Sequence, residues 1–402
     1  TMLRSVKVRI YPTRAQQDYL RGQFGAVRFC YNKAIYIKEH QYKFHGQSLS
    51  TIHDIKPFIS VAKKSRKYAW LKNYDAISLQ EAVRNADKAW TGFFKQGRGY
   101  PKFKNRHQDQ SSYHCTAVSC GENWVKIPKM DRIKAKIHRP IEGKVKSFTL
   151  SLTTTGKYYA AILFEDGKPE VEQIKTLEED EITGADRGLK TLIVTSNGDM
   201  IDNPRYLKKA QKNLKRKQKK LSRTQKGSRR REKARRLVAK AHERVRHQRE
   251  DYLHKASRQL ADENQAVVVE NLAIENMLKN HKLAQSISDA GWGKFVVMLA
   301  YKLKRQGKIL VKIDRFYPSS KTCSHCGHKL EELGLQVRAW TCPACMTAHD
   351  RDINAAINIR KQGIVKLKAE GLSVSARGGC VRHCESSATA DEPRSLCFQA
   401  GV

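Results

Sequence analysis

Two Cys-x-x-Cys pairs, Cys323/Cys326 and Cys342/Cys345, constrain this chain more than any other feature. Four thiolates close a tetrahedral Zn²⁺ shell, each two-residue gap lets a pair sit on one tight turn, and the 15 residues between the pairs fit a short hairpin. A segment clamped in this way folds as a small zinc ribbon. The competing arrangement, four reduced cysteines in an ordinary core, gives no reason for paired spacing. Gly327 follows the first knuckle, where a positive φ is often wanted, and Met346 takes that place in the second, straining the turn without removing a ligand. His325, His328 and His349 are spare nitrogen donors, read here as solvated or phosphate-facing rather than as ligands. Asp350-Arg351-Asp352-Ile353-Asn354-Ala355-Ala356 follows at once, so the clamped loop is expected beside a carboxylate site at a helix start.

Charge sets the class of partner. With 402 residues the chain can bury two or three cores, and a formal net charge of +39 far exceeds what solubility needs, so a large polyanion is the expected partner. The excess lies upstream of residue 376: the tail 376–402 carries Arg377, Arg382 and Arg394 against Glu385, Asp391 and Glu392, is rich in Ser, Ala and Gly, and reads as disordered. No apolar run approaches transmembrane length and no signal-peptide core opens the sequence, so a soluble cytoplasmic protein, associated with the nucleoid of a bacterium or archaeon, is expected. In a reducing compartment ten cysteines favour metal ligands and free thiols over disulfides; Cys30, Cys115, Cys120, Cys380, Cys384 and Cys397 lack metal spacing.

Along the chain, Val6, Val8 and Ile10 alternate with Lys7 and Arg9, the period-two pattern of a half-buried strand over residues 2–10. Pro12-Thr13 stops it and caps a helical stretch reaching about Gln96, in which Leu79, Val83, Ala86, Trp90, Phe93 and Phe94 form one apolar core stripe. Gln80, Arg84, Asn85 and Lys88 are read as its open face, able to reach a groove. Gly97-x-Gly99-Tyr100-Pro101 breaks the helix, Lys102 and Lys104 follow, and strands return between roughly 122 and 166. A strand, a helical insertion and further strands suggest a small β-barrel interrupted by a helical lobe. Ile182 to Thr195 reads as a strand pair turned at Asn197-Gly198, with Asp186 near the end of the first strand. Leu207 to Arg249 then holds 20 Lys or Arg against Glu232 and Glu243, with thin apolar seams through Leu214, Leu221, Leu237, Ala241 and Val245. Such helices repel themselves unless phosphates neutralise them, so a nucleic-acid-binding helical hairpin is expected, with Arg229, Arg230 and Arg231 among its contacts. Ala266 to Glu270 is a short buried strand ending in a carboxylate; a helix from about Trp292 to Arg305, a strand Ile309 to Ile313, the zinc segment and a helix opened by Asp352 complete a mixed α/β core.

Asp186, Glu270 and Asp352 therefore come from three separated elements, each at a strand end or helix start. Converging in a basic protein, they would repel and titrate upward unless cations joined them; two Mg²⁺ ions about 3.5–4 Å apart would neutralise them and clamp a scissile phosphate. Each could instead pair with a nearby Arg or Lys, and spacing alone does not decide.

The ordered set Asp186-Arg-Gly-Leu-Lys-Thr, Val-Val-Val-Glu270-Asn-Leu, Ser320-Lys-Thr-Cys323-Ser-His-Cys326-Gly, Trp340-Thr-Cys342-Pro-Ala-Cys345 and His349-Asp-Arg-Asp352-Ile-Asn-Ala-Ala-Ile-Asn resembles the TnpB proteins of insertion sequences, relatives of type V CRISPR effectors. Residues 9–16, Gln23 to Asn32 and Pro101 to Lys104 are similar to that family's N-terminal half, and the resemblance covers about residues 2–375. It implies an RNA-guided DNA endonuclease with an α/β multidomain fold. A wedge β-barrel would span 1–12 and 97–178, a helical recognition lobe 13–96, and a RuvC (RNase H-like) nuclease domain 179–319 and 349–375 with the basic hairpin 204–260. The zinc ribbon 320–348 would be its target-nucleic-acid-binding insert. Asp186, Glu270 and Asp352 would hold Mg²⁺, with Asp350 the rival for the third place; Arg187 stands where the family often has an apolar residue. The implied partners are a transposon-derived guide RNA and double-stranded target DNA, held by a monomeric ribonucleoprotein. A guide-directed repressor that does not cut, and a transposase working without RNA, are the alternatives.

Overall fold

The computed structural model describes residues 2–106, 111–334 and 336–375; the tail read above as disordered lies outside the described residues. The chain divides into two compact units, Thr1–Glu170 and Val171–Val402.

In the first unit, strand β1 (Leu3–Tyr11) buries Val8 and Ile10 as its alternation requires. Helix α1 (Arg14–His45) starts at a reciprocal cap: the Thr13 side chain accepts from the Gln16 N–H while the Gln16 side chain accepts from the Thr13 N–H. It stops where Gly46 takes the left-handed conformation at φ 65°. The expected helical stretch to Gln96 is several pieces: a π-helical turn (Thr51–Ile55), α2 (Phe58–Ala62), a 3-10 turn (Arg66–Asn73) and α3 (Ala76–Gln96), capped by Asp75 and closed by Gly97. Leu79, Val83, Ala86 and Trp90 are buried as predicted. Phe94 is not: it is 69% exposed and stacks on Trp90 at 5.8 Å between ring centroids. Strands β2 (Ser111–Cys115), β3 (Ser119–Cys120), β4 (Trp124–Lys126), β5 (Ile133–Lys136), β6 (Lys144–Leu152) and β7 (Tyr158–Glu165) join β1 in one seven-stranded sheet of order β2-β6-β7-β1-β5-β4-β3. β1 lies inside it, antiparallel to both β5 and β7, so the helices are an insertion between the first strand and its partners. Among the described residues no pairing joins the end strands β2 and β3.

The second unit opens earlier than the sequence suggested, because β8 (Thr176–Glu178) belongs to it. Then come β9 (Ile182–Asp186), β10 (Thr191–Thr195) and β11 (Met200–Asp202). Where one strand pair was expected there are three strands. The Asn197-Gly198 turn, with Gly198 at φ 90°, joins β10 to β11, and β9 turns into β10 through Arg187–Lys190. The basic run is the expected hairpin, α4 (Tyr206–Ser222) against α5 (Arg229–Glu263), closed over Leu214, Ala234, Ala241 and Val245. β12 (Ala266–Glu270), α6 (Ile274–Met277), α7 (Ala284–Ala290), α8 (Trp292–Arg305) and β13 (Ile309–Ile313) precede the cysteine segment, which contains β14 (Ala339–Thr341) and β15 (Ala348–Asp350). Helix α9 (Arg351–Ala369) and β16 (Ser373–Ser375), which pairs in parallel with β8, end the described chain.

The five-stranded sheet runs β11-β10-β9-β12-β13, with β12 parallel to β9 and β13 and the other ladders antiparallel. Val267 and Val269 of β12 face a core shared with Leu253 and Leu260 of α5 and Phe295 and Leu299 of α8; Ala266 and Val268 face one shared with Ile359 and Leu367 of α9. The sheet is thus covered by helices on both faces, and its central strand reads as a continuous apolar run for that reason. α9 lies close on it because small residues meet there. A Cβ on Gly363 would collide with the Val268 methyls, and one on Gly184 with the Ala356 carbonyl.

Candidate active site and metal centre

Asp186 and Glu270 are the last residues of two neighbouring parallel strands, with Ala185 in register with Val269. Side chains at such carboxyl ends open into the crevice beyond the sheet. Asp352 stands in the first turn of α9, brought to the same end by the close packing of that helix. The three charges feel one another. Burial, then Glu270, then Asp352 push Asp186 up to about 7, and the backbone and guanidinium of Arg187 offset only part of this.

Arg187 itself is buried and donates to the Glu270 carbonyl. Burial lowers its pKa, against the opposing pull of Glu270 and Asp186. The Glu270 carboxylate accepts a hydrogen bond from the buried Ser319 hydroxyl at 2.8 Å. Asp352 accepts from Arg338 Nη1 through both oxygens, at 3.1 and 3.3 Å. Asp350 is engaged otherwise: its carboxylate is the N-cap of α9, accepting from the Asp352 and Ile353 N–H groups at 2.9 and 3.0 Å. Ser319 and Arg338 were missed at the sequence level. Both sit in irregular backbone, and their side chains bond to carboxylates 49 and 14 residues away, beyond what a local pattern registers.

The four cysteines come together with all their Sγ atoms within 4.8 Å of one another, and Cys323–Cys345 and Cys326–Cys342 stand at 3.6 Å. Thiolates about 2.3 Å from one tetrahedral ion stand about 3.8 Å apart, so the set fits zinc. The knuckles are built alike: Gly327 N–H donates to the Cys323 carbonyl and Met346 N–H to that of Cys342. Gly327 has φ 80° and Met346 φ 58°, so Met346 carries the backbone strain anticipated for it. His325 and His328 are exposed, but His349 is not solvated. It is buried against Trp340 with Nε2 at 3.0 Å from Cys323 Sγ, because its strand β15 pairs with β14 and turns it into the ribbon's small core.

The predicted nucleic-acid contacts divide. Arg229, Arg230 and Lys102 are exposed, as is Lys104, whose ammonium lies over the Tyr31 ring at 4.1 Å. Arg231 is half-buried and donates from Nη1 to the Leu221 and Thr224 carbonyls at 3.1 and 2.7 Å, so it ties the hairpin turn. Gln80 is half-buried at the flank of α3, one turn before exposed Arg84, with Asn85 and Lys88 the other exposed groups of that side.

A two-faced α/β sheet of order 3-2-1-4-5 (its strands numbered along the chain), with carboxylates at the ends of its first and fourth strands and a four-cysteine ribbon before its last helix, is the mixed α/β arrangement expected of an RNase H-like domain. Comparison with known proteins is consistent with this. Residues 168–281 match the OrfB_IS605 family, described as "Probable transposase"; residues 292–359 match the Cas12f1-like TNB domain; and residues 2–47 match a helix-turn-helix domain, although here they form β1 and one continuous helix. A Streptomyces pristinaespiralis protein named "Putative RNA-guided DNA endonuclease" is 36% identical over 96% of this chain and 94% of its own length. An Escherichia coli K12 protein with the same name, InsQ, is 27% identical over 93% of this chain and 96% of its own. Among solved structures, a Cas12f1 chain from a complex with sgRNA and target DNA aligns with TM-score 0.53 at 12% identity, over 89% of this chain and 98% of that one. The chain belongs to the TnpB family of insertion sequences.

Proposed function

We propose that this protein is an RNA-guided DNA endonuclease of an insertion sequence. The observation that carries the reading is the meeting of Asp186, Glu270 and Asp352 at one end of the sheet, where burial and then the two neighbouring carboxylates push Asp186 up to about 7, in a chain whose full-length relatives bear that name. The donor set is oxygen only, which suits Mg²⁺, and two ions fit three carboxylates better than one. When bound, Mg²⁺ would neutralise the carboxylates, clamp the scissile phosphate and lower the pKa of the attacking water. Ser319 orients Glu270, Arg187 fixes the end of β12, and Arg338 supplies a guanidinium at the rim able to pair with phosphate. Cys323, Cys326, Cys342 and Cys345 hold structural Zn²⁺.

The first unit serves as wedge and recognition lobe, the second as RuvC domain with its ribbon. A guide RNA lies along the basic hairpin at Arg229 and Arg230, Lys102 and Lys104 meet backbone phosphates, and the ribonucleoprotein is monomeric. Gln80, half-buried on α3, reads the target-adjacent motif through its amide. The similar Cas12f1 chain was solved with sgRNA and target DNA, the two kinds of partner proposed here.

The test is guide-dependent cleavage of a matched duplex in Mg²⁺ by wild type and by Asp186→Ala, Glu270→Ala, Asp352→Ala and Asp350→Ala. The first three should lose cutting while retaining guided binding. Asp350→Ala should be milder, losing a helix cap worth about 1 kcal/mol. Full activity in Asp352→Ala would remove it from the site, and a wild type that binds guided targets without Mg²⁺-dependent cutting would make the protein a repressor.

A further inference from the structure

The motif Asp352-Ile-Asn354-Ala-Ala-Ile-Asn358 holds two asparagines that the carboxylate site does not use, and they are among the most buried polar residues of the described chain, at 1% and 2% exposure. They lie one turn apart on the same face of α9. Asn358 Nδ2 donates to the Ser319 and Thr322 carbonyls at 2.8 and 2.6 Å. Asn354 Nδ2 donates to the Thr322 carbonyl at 2.8 Å, and its Oδ1 accepts from the Ser324 N–H at 2.8 Å. Both ends of the Asn354 amide are therefore committed, which fixes its orientation.

The clamped segment has two jobs at once. Ser319 reaches the Glu270 carboxylate, and Cys323, between the clamped Thr322 and Ser324, is a ligand of the ribbon's cysteine set. The turn between them is internally tied, since the Lys321 and Thr322 N–H groups and the Thr322 hydroxyl all donate to the Pro318 carbonyl. One short piece of backbone, gripped by the helix that also carries Asp352, thus connects the zinc ligands to the hydroxyl that aims Glu270. Among the described residues no backbone N–H donates to the Ser319 or Thr322 carbonyl, so losing the amides leaves both acceptors unpaired and loosens a segment then held by its turn and the Thr322–Lys329 bridge.

We propose that Asn354, Asn358 and Ser319 are positioning residues that couple the zinc ribbon to the carboxylate site: an intact four-cysteine centre sets the divalent-cation affinity of Asp186, Glu270 and Asp352 through the Ser319–Glu270 hydrogen bond. This rests on the carboxylates holding a cation, as proposed above. Groups that orient a metal's carboxylate ligands commonly change its affinity by about tenfold or more.

The test measures Mn²⁺ affinity of the full zinc-loaded chain by electron paramagnetic resonance, without nucleic acid, alongside zinc content and thermal unfolding. Ser319→Ala and Asn358→Leu should each weaken Mn²⁺ binding about tenfold, with zinc content unchanged in Ser319→Ala, and Ser319→Thr should restore it. Cys342→Ser, which breaks the zinc centre, should weaken Mn²⁺ binding in wild type but add little in a Ser319→Ala background. Unaltered Mn²⁺ affinity in Ser319→Ala, or effects of Cys342→Ser and Ser319→Ala that simply add, would overturn the coupling while leaving the carboxylate site intact. No Mn²⁺ bound by wild type would overturn both.

Discussion

At the residue scale, Asp186 shows how a buried carboxyl beside two others burdens the fold that builds it. Its carboxyl titrates near 7 where an unfolded chain would have it at 3.8, so between about pH 4 and 7 the native state keeps a proton that the unfolded state has lost. Stability falls as pH rises through that window and levels off above it, by about 4 kcal/mol for a shift of this size. Asp186→Asn, without Mg²⁺, should therefore unfold at higher urea than wild type at pH 8, and the two should converge toward pH 4. Saturating Mg²⁺ at pH 8 should stabilise wild type and not the variant. A variant no more stable than wild type at pH 8 would mean that Asp186 is not buried beside the other two carboxylates. The neighbouring residues divide sharply in role over short spacing: Asp350 caps α9 while Asp352, two positions on, turns into the crevice.

At the element scale the site depends on how closely α9 lies on the sheet. Gly363 meets Val268 and Gly184 meets the backbone of α9, so the helix axis can approach the strands and deliver Asp352 beside Asp186 and Glu270. Gly363→Val should overpack this interface and cost about 1–3 kcal/mol or more, read as a lower urea midpoint. Val268→Ala in the same chain should recover part of that stability, since the two side chains share one space. Additive destabilisation by the pair would place the strain elsewhere. The hairpin of α4 and α5 has a different logic. Its seam is thin and its outer faces are cationic, and one arginine of the three in sequence, Arg231, is spent on closing the turn.

At the scale of the whole molecule, the formal charge of +39 is the dominant property and the hairpin its densest concentration. No helix among the described residues is long and apolar enough to cross a membrane. For RNA bound as proposed, replacing Arg229 and Arg230 together by Gln should flatten the dependence of log affinity on log salt by about one unit for each phosphate left without its cation, whereas Arg231→Gln should lower hairpin stability and leave the slope alone. An equal slope change from Arg231→Gln would show that its carbonyl hydrogen bonds give way to phosphate.

Much of this was legible in the sequence because it is local. Alternation placed β1, the apolar run placed β12, the Thr13 cap and Gly97 bounded helices, and paired cysteines announced a ribbon that closes with Sγ atoms within 4.8 Å. These depend on neighbours a few residues apart or, for the cysteines, on ligand chemistry that tolerates few alternatives. What only the tertiary structure decided was every relation across long separations: that Asp186, Glu270 and Asp352 share one field, that Ser319 aims Glu270, that Arg338 faces Asp352, that His349 turns inward and Arg231 back on its own hairpin. A side chain's partner across such a distance is set by which backbones pack together, and that packing is fixed by the core as a whole, not by the residue type that finally occupies the place.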